Sequence, residues 1–310
     1  MQKHVNVSLL LLAVSGLALG AESRVTGQLQ VQGAYLEPAL NGEGRWYLQA
    51  PNSWLGLEVL ESVSGSQYRG VLEVDLDPLS ADMPVATRQV FIEWLQPLYS
   101  IRGGRLRSLE QRLLADPIDQ MHGFDGGQVT TADRFTDALA INNYSANSGS
   151  GPDQPSIEFT ASNGDLMYVS GQWTFEDETD SSTLQQWAVA AGLDTPEGSV
   201  ALTYRRDDDF DAGLFGSSIL YQRDGLQLGG STLYRDGIVA WDLVGAYQAG
   251  TVISKLSYGR EEKTSSTDEA RYWAFGIDQV FSDAILNYTE IRWQPDPEQW
   301  RWMTGFRLTF

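Results

Sequence analysis

The chain has 310 residues, no cysteine, two histidines and a formal net charge of −20 at pH 7. With 21 basic residues against 41 acidic ones, it lacks the positive surface that nucleic acid requires, so that partner class is excluded. The same surplus of carboxylates makes cations the natural counter-ions, and the missing thiols exclude disulfides and cysteine nucleophiles.

The first residues read as a secretory signal. Lys3 and His4 give a basic start, Val7 to Leu19 form an apolar core, and Ala18-Leu19-Gly20 fits a small-x-small cleavage site. The apolar run is too short to cross a bilayer as a helix, and Glu22 and Arg24 end it. Residues 1–21 are therefore expected to be a removed signal peptide, leaving 22–310 as one domain. No later stretch approaches a spanning helix. The mature chain is then either an exported soluble β-protein or a closed membrane barrel, the one other spanning architecture.

Composition favours the barrel. Ten Trp and thirteen Tyr accompany a mean hydropathy of −0.27. A wall with one face in lipid and one in water gives that mixture. The dominant period is two: in 25–35, Val25, Leu29, Val31 and Tyr35 point one way and Thr26, Gln28, Gln30 and Gln32 the other. The same reading predicts an all-β chain of sixteen antiparallel strands. They fall near 24–36, 52–60, 67–76, 86–95, 98–106, 155–162, 166–175, 184–193, 199–206, 213–222, 226–235, 238–248, 251–260, 271–281, 284–294 and 300–310.

The connectors alternate in character. Those at 62–66, 96–97, 163–165, 194–198, 223–225, 249–250 and 282–283 are short and rich in Gly, Pro, Asn and Asp, as tight turns require. Those at 37–51, 77–85, 107–154, 176–183, 207–212, 261–270 and 295–299 are mostly longer and more acidic, and only Asp236-Gly237 breaks the pattern. Short turns at one end and long loops at the other characterise a transmembrane barrel, and an even strand number puts both termini on the periplasmic side. Trp46, Tyr47, Trp54, Trp94, Tyr99, Tyr204, Tyr221, Tyr234, Trp293, Trp300 and Trp302 lie near strand ends, where aromatic girdles form.

The connector 107–154 is about 48 residues long, too long to be idle. Ser108 to Asp116 has helical composition and Pro117 stops it. A sixteen-stranded barrel has an aqueous interior, and a loop of this length can fold inward and narrow it. Enzyme chemistry finds no support: His122 is the only histidine of the mature chain, and neither a nucleophile elbow nor a His-Glu-x-x-His motif occurs. Asp207, Asp208, Asp209 and Asp211 could supply oxygen ligands to calcium, although their spacing is not that of an EF-hand. No cofactor is expected. Parity directs Arg69, Glu73 and Asp75 to the wet face of one strand, Arg102 to that of another and Arg205 to that of a third. Arg88 is ambiguous because Val90, Ile92 and Trp94 share its parity.

Four stretches resemble the Gram-negative trimeric general porins. Ser53-Trp54-Leu55-Gly56-Leu57-Glu58, followed by Glu61, resembles the family's second strand, and Tyr99 to Arg105 its fifth, which ends Gly-Arg. Pro155 to Thr160 is similar to the stretch after the third loop, and Gly305-Phe306-Arg307-Leu308-Thr309-Phe310 to the terminal strand. The resemblance implies a sixteen-stranded homotrimer in the outer membrane, in contact with lipid and lipopolysaccharide. It also implies a third loop folded into the lumen, and passive diffusion of small hydrophilic solutes and ions. It implies a constriction with Arg69, Arg102, Arg105 and Trp54 on the wall and Glu110, Asp116 and Asp119 on the loop. Trp54 stands where the family often has arginine, and Glu158 replaces another basic position, so the expected preference is for cations. The alternative is a substrate-specific channel. A phosphate channel would need more lumen Arg and Lys than this chain has, and a sugar channel would need lumen aromatics, most of which fall on the lipid side by parity.

Overall fold

The computed structural model describes residues 21–36, 44–50, 53–76, 79, 85–115, 121, 154–164, 166–175, 186–207, 213–263, 269–295 and 298–310. The expected signal segment at 1–21, apart from Ala21, and most of the long connector lie outside the described residues. No described helix is long and apolar enough to cross a membrane.

The chain forms one antiparallel sheet that closes on itself. Its strands are β1 (Glu22–Leu36), β2 (Arg45–Gln49), β3 (Trp54–Val63), β4 (Ser66–Leu76), β5 (Val85–Gln96) and β6 (Tyr99–Leu106). After the long connector come β7 (Gln154–Asn163), β8 (Met167–Thr174), β9 (Gln186–Thr195), β10 (Gly198–Asp207), β11 (Leu214–Arg223) and β12 (Leu226–Arg235). The wall ends with β13 (Ile238–Ala249), β14 (Val252–Lys263), β15 (Glu269–Ser282), β16 (Ile285–Pro295) and β17 (Glu298–Thr309).

These segments fill sixteen wall positions, because β2 and β3 are two pieces of one strand. Gln32 to Leu36 of β1 pairs β2, and Glu22 to Gln28 pairs β3. Ser53 spans the interruption: its Oγ accepts from the Gln30 N–H at 3.0 Å and donates to the Gln30 carbonyl at 3.2 Å, replacing ladder bonds with a side chain. The connector expected over 37–51 thus contains a strand. Its Trp46-Tyr47-Leu48 run carries no apolar–polar alternation and all of β2 is exposed, so the period-two signal was missing.

The barrel closes where β17 pairs β1 from Gln28↔Thr309 to Leu36↔Arg301. Gly27 and Phe310 finish the seam by exchanging backbone bonds of 2.9 and 3.0 Å. Closure satisfies the edge groups that an open sheet would leave bare.

Alternation sorts the side chains. In β13, Ala240, Asp242, Val244 and Ala246 are buried inside, whereas Leu243 is exposed outside. The exterior is apolar around the wall: Ile92 is 69% exposed, Val169 60%, Ile219 58% and Ile277 58%. An exterior of that kind demands lipid as its solvent. Ring contacts gather toward the loop end, in Tyr35–Trp46, Trp187–Tyr204–Phe215, Trp241–Tyr258–Trp273 and Trp293–Trp300. Trp94 and Tyr99 mark the turn end. Trp241 and Tyr247 bound the apolar band on β13, six positions or roughly 20 Å apart along the strand. Trp54, expected among the girdle residues, instead shares the inward alternation of Gly56 and Glu58.

The odd connector Asp236-Gly237 is a two-residue turn with both φ values positive, 46° and 77°. That geometry matches the twist of two paired strands, so this hairpin stays short although it lies at the loop end.

Candidate functional site in the lumen

The register brings opposite charges into contact along the inner wall. Arg24 of β1 stands directly across from Glu58 of β3, and its Nε donates to Glu58 at 2.6 Å. Arg69 of β4 donates to the other Glu58 oxygen at 2.6 Å and lies 3.5 Å from Glu93 of β5, its cross-strand partner. Glu93 in turn faces Arg102 of β6, and Arg102 faces Glu158 of β7 at 2.8 Å. Arg112, from the connector after β6, reaches the same Glu158 oxygen at 2.6 Å. The result is a belt of alternating sign across six strands, each arginine held by a neighbouring carboxylate. Glu158 is 1% exposed, so its charge depends on these partners and on the Thr160 hydroxyl at 3.1 Å.

Nearer the loop end, Arg88 lies 3.5 Å from Glu73 and 3.3 Å from Asp75, with its guanidinium over the Trp54 ring at 5.3 Å. Parity alone left Arg88 undecided. The register shifts between Glu73 and Val74, so that Gln89 faces Glu73 while Thr87 faces Val74. The bulge places Arg88 between two rungs of the ladder and turns it inward beside Gln89.

On the opposite wall, Lys255 of β14 binds Asp278 of β15 and Glu290 of β16, each at 2.8 Å. Lys255 and Glu290 both pair Gly276 in the register, and the missing side chain there lets the two meet across β15. Above them, Tyr272 donates to Asp242 at 2.7 Å, and Arg292 covers its ring at 4.1 Å.

Between these walls the inward faces of β9 to β11 are small: Ala188, Ala190, Ala201, Thr203, Gly216 and Ser218. The start of the long connector occupies the space they leave. Its short helical turn is Gln111–Ala115. Leu109 packs on Ala188 and Ala190, Leu114 joins Leu214 and Leu233, and Ser218 donates to the Leu113 carbonyl at 2.8 Å. Gln172 of β8 clamps the approach, accepting from the Leu109 N–H and donating to the Arg107 carbonyl, both at 3.0 Å. Met121, the one other described residue of the connector, is buried in the same cluster as Leu114 and Tyr272.

No protein-family model matches the chain, and no curated protein matches it. Solved structures do. An anion-selective porin from Comamonas acidovorans superposes with a TM-score of 0.74 at 15% identity, covering 94% of this chain and all of that one. OmpF of Salmonella typhi, solved with daunomycin, gives 0.75 at 12% identity over 94% of this chain and 98% of that one. The outer-membrane channel DcaP of Acinetobacter baumannii gives 0.69 at 13% identity over 94% and 98%.

The chain has the porin fold.

Within that porin fold the expected wall residues separate. Arg69, Arg102 and Trp54 lie on the inner face, the two arginines in the belt and Trp54 beneath Arg88. Arg105 stands opposite Val90 and Pro155, on the alternation of Ile101 and Ile157 that faces outward, so the register does not bring it into the belt. Glu110 is fully buried, with Arg205 Nη1 at 3.9 Å from its carboxylate. Asp116, Asp119 and His122 lie outside the described residues, as do Asp208, Asp209 and Asp211 and the side chain of Asp207. Among the described residues no group of three or more acids and histidines is placed to hold a metal. Glu58, Glu93, Arg112, Lys255, Asp278 and Glu290 are lumen residues that sequence reading missed. Their signal was the pairing of opposite charges across strands, which is invisible before the register is known.

Proposed function

We propose that this chain is an outer-membrane porin, exported through a cleaved signal at 1–21, that passes small hydrophilic solutes and ions by diffusion. The observation that carries the reading is the pairing of an apolar exterior with an interior lined by Arg69, Arg102, Glu58, Glu93 and Glu158. Such a wall needs lipid outside and water inside. The constriction is formed by Arg69, Arg102 and Trp54 on the wall and by Glu110, Asp116 and Asp119 on the connector. Burial of Leu109, Glu110 and Leu114 against the wall supports a connector that narrows the pore.

The channel prefers cations. Support comes from the net charge of −20 and from the way wall arginines are neutralised by adjacent carboxylates rather than left as a positive face. The resemblance noted in the sequence supports a homotrimer embedded among outer-membrane lipid and lipopolysaccharide. The test is reconstitution into planar bilayers under a KCl gradient. Stepwise conductance with a cation-selective reversal potential is expected, and an anion-selective potential defeats the preference. Recovery in the soluble periplasmic fraction without detergent defeats the barrel reading itself.

A further inference from the structure

Below the connector's helical turn, the inner faces of β6 to β9 enclose a recess of about 380 Å³ toward the turn end. Five side chains that line it carry hydroxyls: Ser100, Thr160, Ser162, Ser170 and Tyr168. The Tyr168 ring lies against Gly192, where any side chain would collide with it, so the wall is shaped to hold that phenol flat. Arg102 and Arg112 border the same space, and Asp194 lies on its exposed side.

Two guanidiniums converge here. Arg102 and Arg112 both donate through Nη2 to a single oxygen, Oε1 of Glu158, and Thr160 donates to it as well. Two guanidiniums thus share one carboxylate oxygen, with Glu93 and Asp194 as the further acids beside them. The Nε atoms of both arginines are buried and have no acceptor. A guanidinium presents its donors as a planar fork that suits carboxylate oxygens. The hydroxyls each donate and accept, which suits the alternating needs of a polyol chain. Glu93, facing Arg102, and Asp194 oppose a second negative charge on the ligand. The volume lies within the range of small-molecule sites, roughly 300–1,000 Å³.

We propose that this recess is a binding subsite for a small hydroxylated monocarboxylate of the sugar-acid type. The carboxylate sits at Arg102 and Arg112, and the hydroxylated chain lies along Thr160, Ser170 and Tyr168. The proposal rests on the channel reading above and gives that channel a solute it retains in passing.

The experiment is single-channel recording in KCl with D-gluconate, sorbitol or acetate added to either side. In the unaltered protein, gluconate interrupts the current in a concentration-dependent way, and sorbitol needs roughly tenfold more for equal effect. Arg112→Gln raises the half-blocking gluconate concentration by about tenfold, as expected for loss of one charged contact. Tyr168→Phe, which leaves the arginines and the connector in place, weakens gluconate and leaves acetate unchanged. Equal block by gluconate and sorbitol, or block unaltered in both variants, overturns the subsite. A protein that conducts KCl but ignores gluconate defeats the subsite alone, whereas one that conducts nothing defeats the channel reading and the subsite with it.

Discussion

Gly305 of β17 lies directly beneath the phenol of Tyr288: a methyl group at Gly305 would meet that oxygen at 2.7 Å. The bare backbone lets Tyr288 of β16 reach over β17 to β1. There its hydroxyl donates to Gln32 at 2.6 Å and accepts from Gln30 at 2.8 Å. The closing strand is therefore held by ladder bonds on each edge and by a side-chain bridge above it. A methyl at Gly305 would also press on the Val31 carbonyl, which cannot swing away. Gly305→Ala is expected to cost about 1–3 kcal/mol through overpacking. The measurement is the guanidinium midpoint of detergent-refolded protein by tryptophan fluorescence. An unmoved midpoint would show that the bridge contributes nothing to closure.

Glu158 holds two arginines and is itself only 1% exposed, so its neutralisation should change permeation. In Glu158→Gln the amide keeps the shape but removes the charge facing Arg102 and Arg112, each within 2.8 Å. Arg102 and Arg112 then lose their shared counter-charge, with Glu93 and Asp194 the acids that remain beside them, and anions gain relative to cations. The reversal potential in a KCl gradient should shift toward the anion side by the equivalent of several-fold in permeability ratio, about 1 kcal/mol for a nearby charge in a wet pore. A potential identical to that of the unaltered protein would show that the belt does not face the conducting path.

The sheet was legible because its chemistry is local. Residues 167–175 alternate apolar and polar at each step, and β8 follows that pattern. The lumen was legible only in part, because its chemistry is not local. Arg102 and Glu158 are 56 positions apart, and Arg24 and Glu58 are 34 apart, so their contact depends on the register of several hairpins. Arg88 escaped because one bulge reverses the parity that a sequence reader must assume. Arg105 was chosen by motif likeness, and the register then set it among outward positions. Strand β2 escaped because Trp46-Tyr47-Leu48 shows no alternation at all.

The connector's seat makes a separate prediction. Gly216 has no side chain where Leu114 rests, and a methyl there would also crowd Thr203 Oγ1 at 2.7 Å. Gly216→Val should push the segment off β11 and into the pore. The overpacking is expected to cost roughly 1–3 kcal/mol, and unitary conductance should fall because the displaced segment takes up open lumen. Leu114→Ala makes the opposite change, leaving the segment loosely seated, and should raise current noise without narrowing the pore. Equal conductance in Gly216→Val and the parent would mean that the segment does not bound the path.

Lys255 offers the sharpest stability test, because it is 1% exposed and serves two acids that are themselves buried, Asp278 at 3% and Glu290 at 0% exposure. Removing the cation takes from both buried carboxylates, Asp278 on β15 and Glu290 on β16, the charge they share. Breaking a buried pair costs about 3–5 kcal/mol, and Lys255→Met removes the cation from two such contacts. The double variant Lys255→Met with Glu290→Gln removes one of the two buried negative charges and should recover part of that loss. The guanidinium midpoint should therefore rank parent first, double variant second and Lys255→Met last. If Lys255→Met matches the parent, groups other than Lys255 must hold the two acids, and its ion pairs would contribute geometry rather than stability.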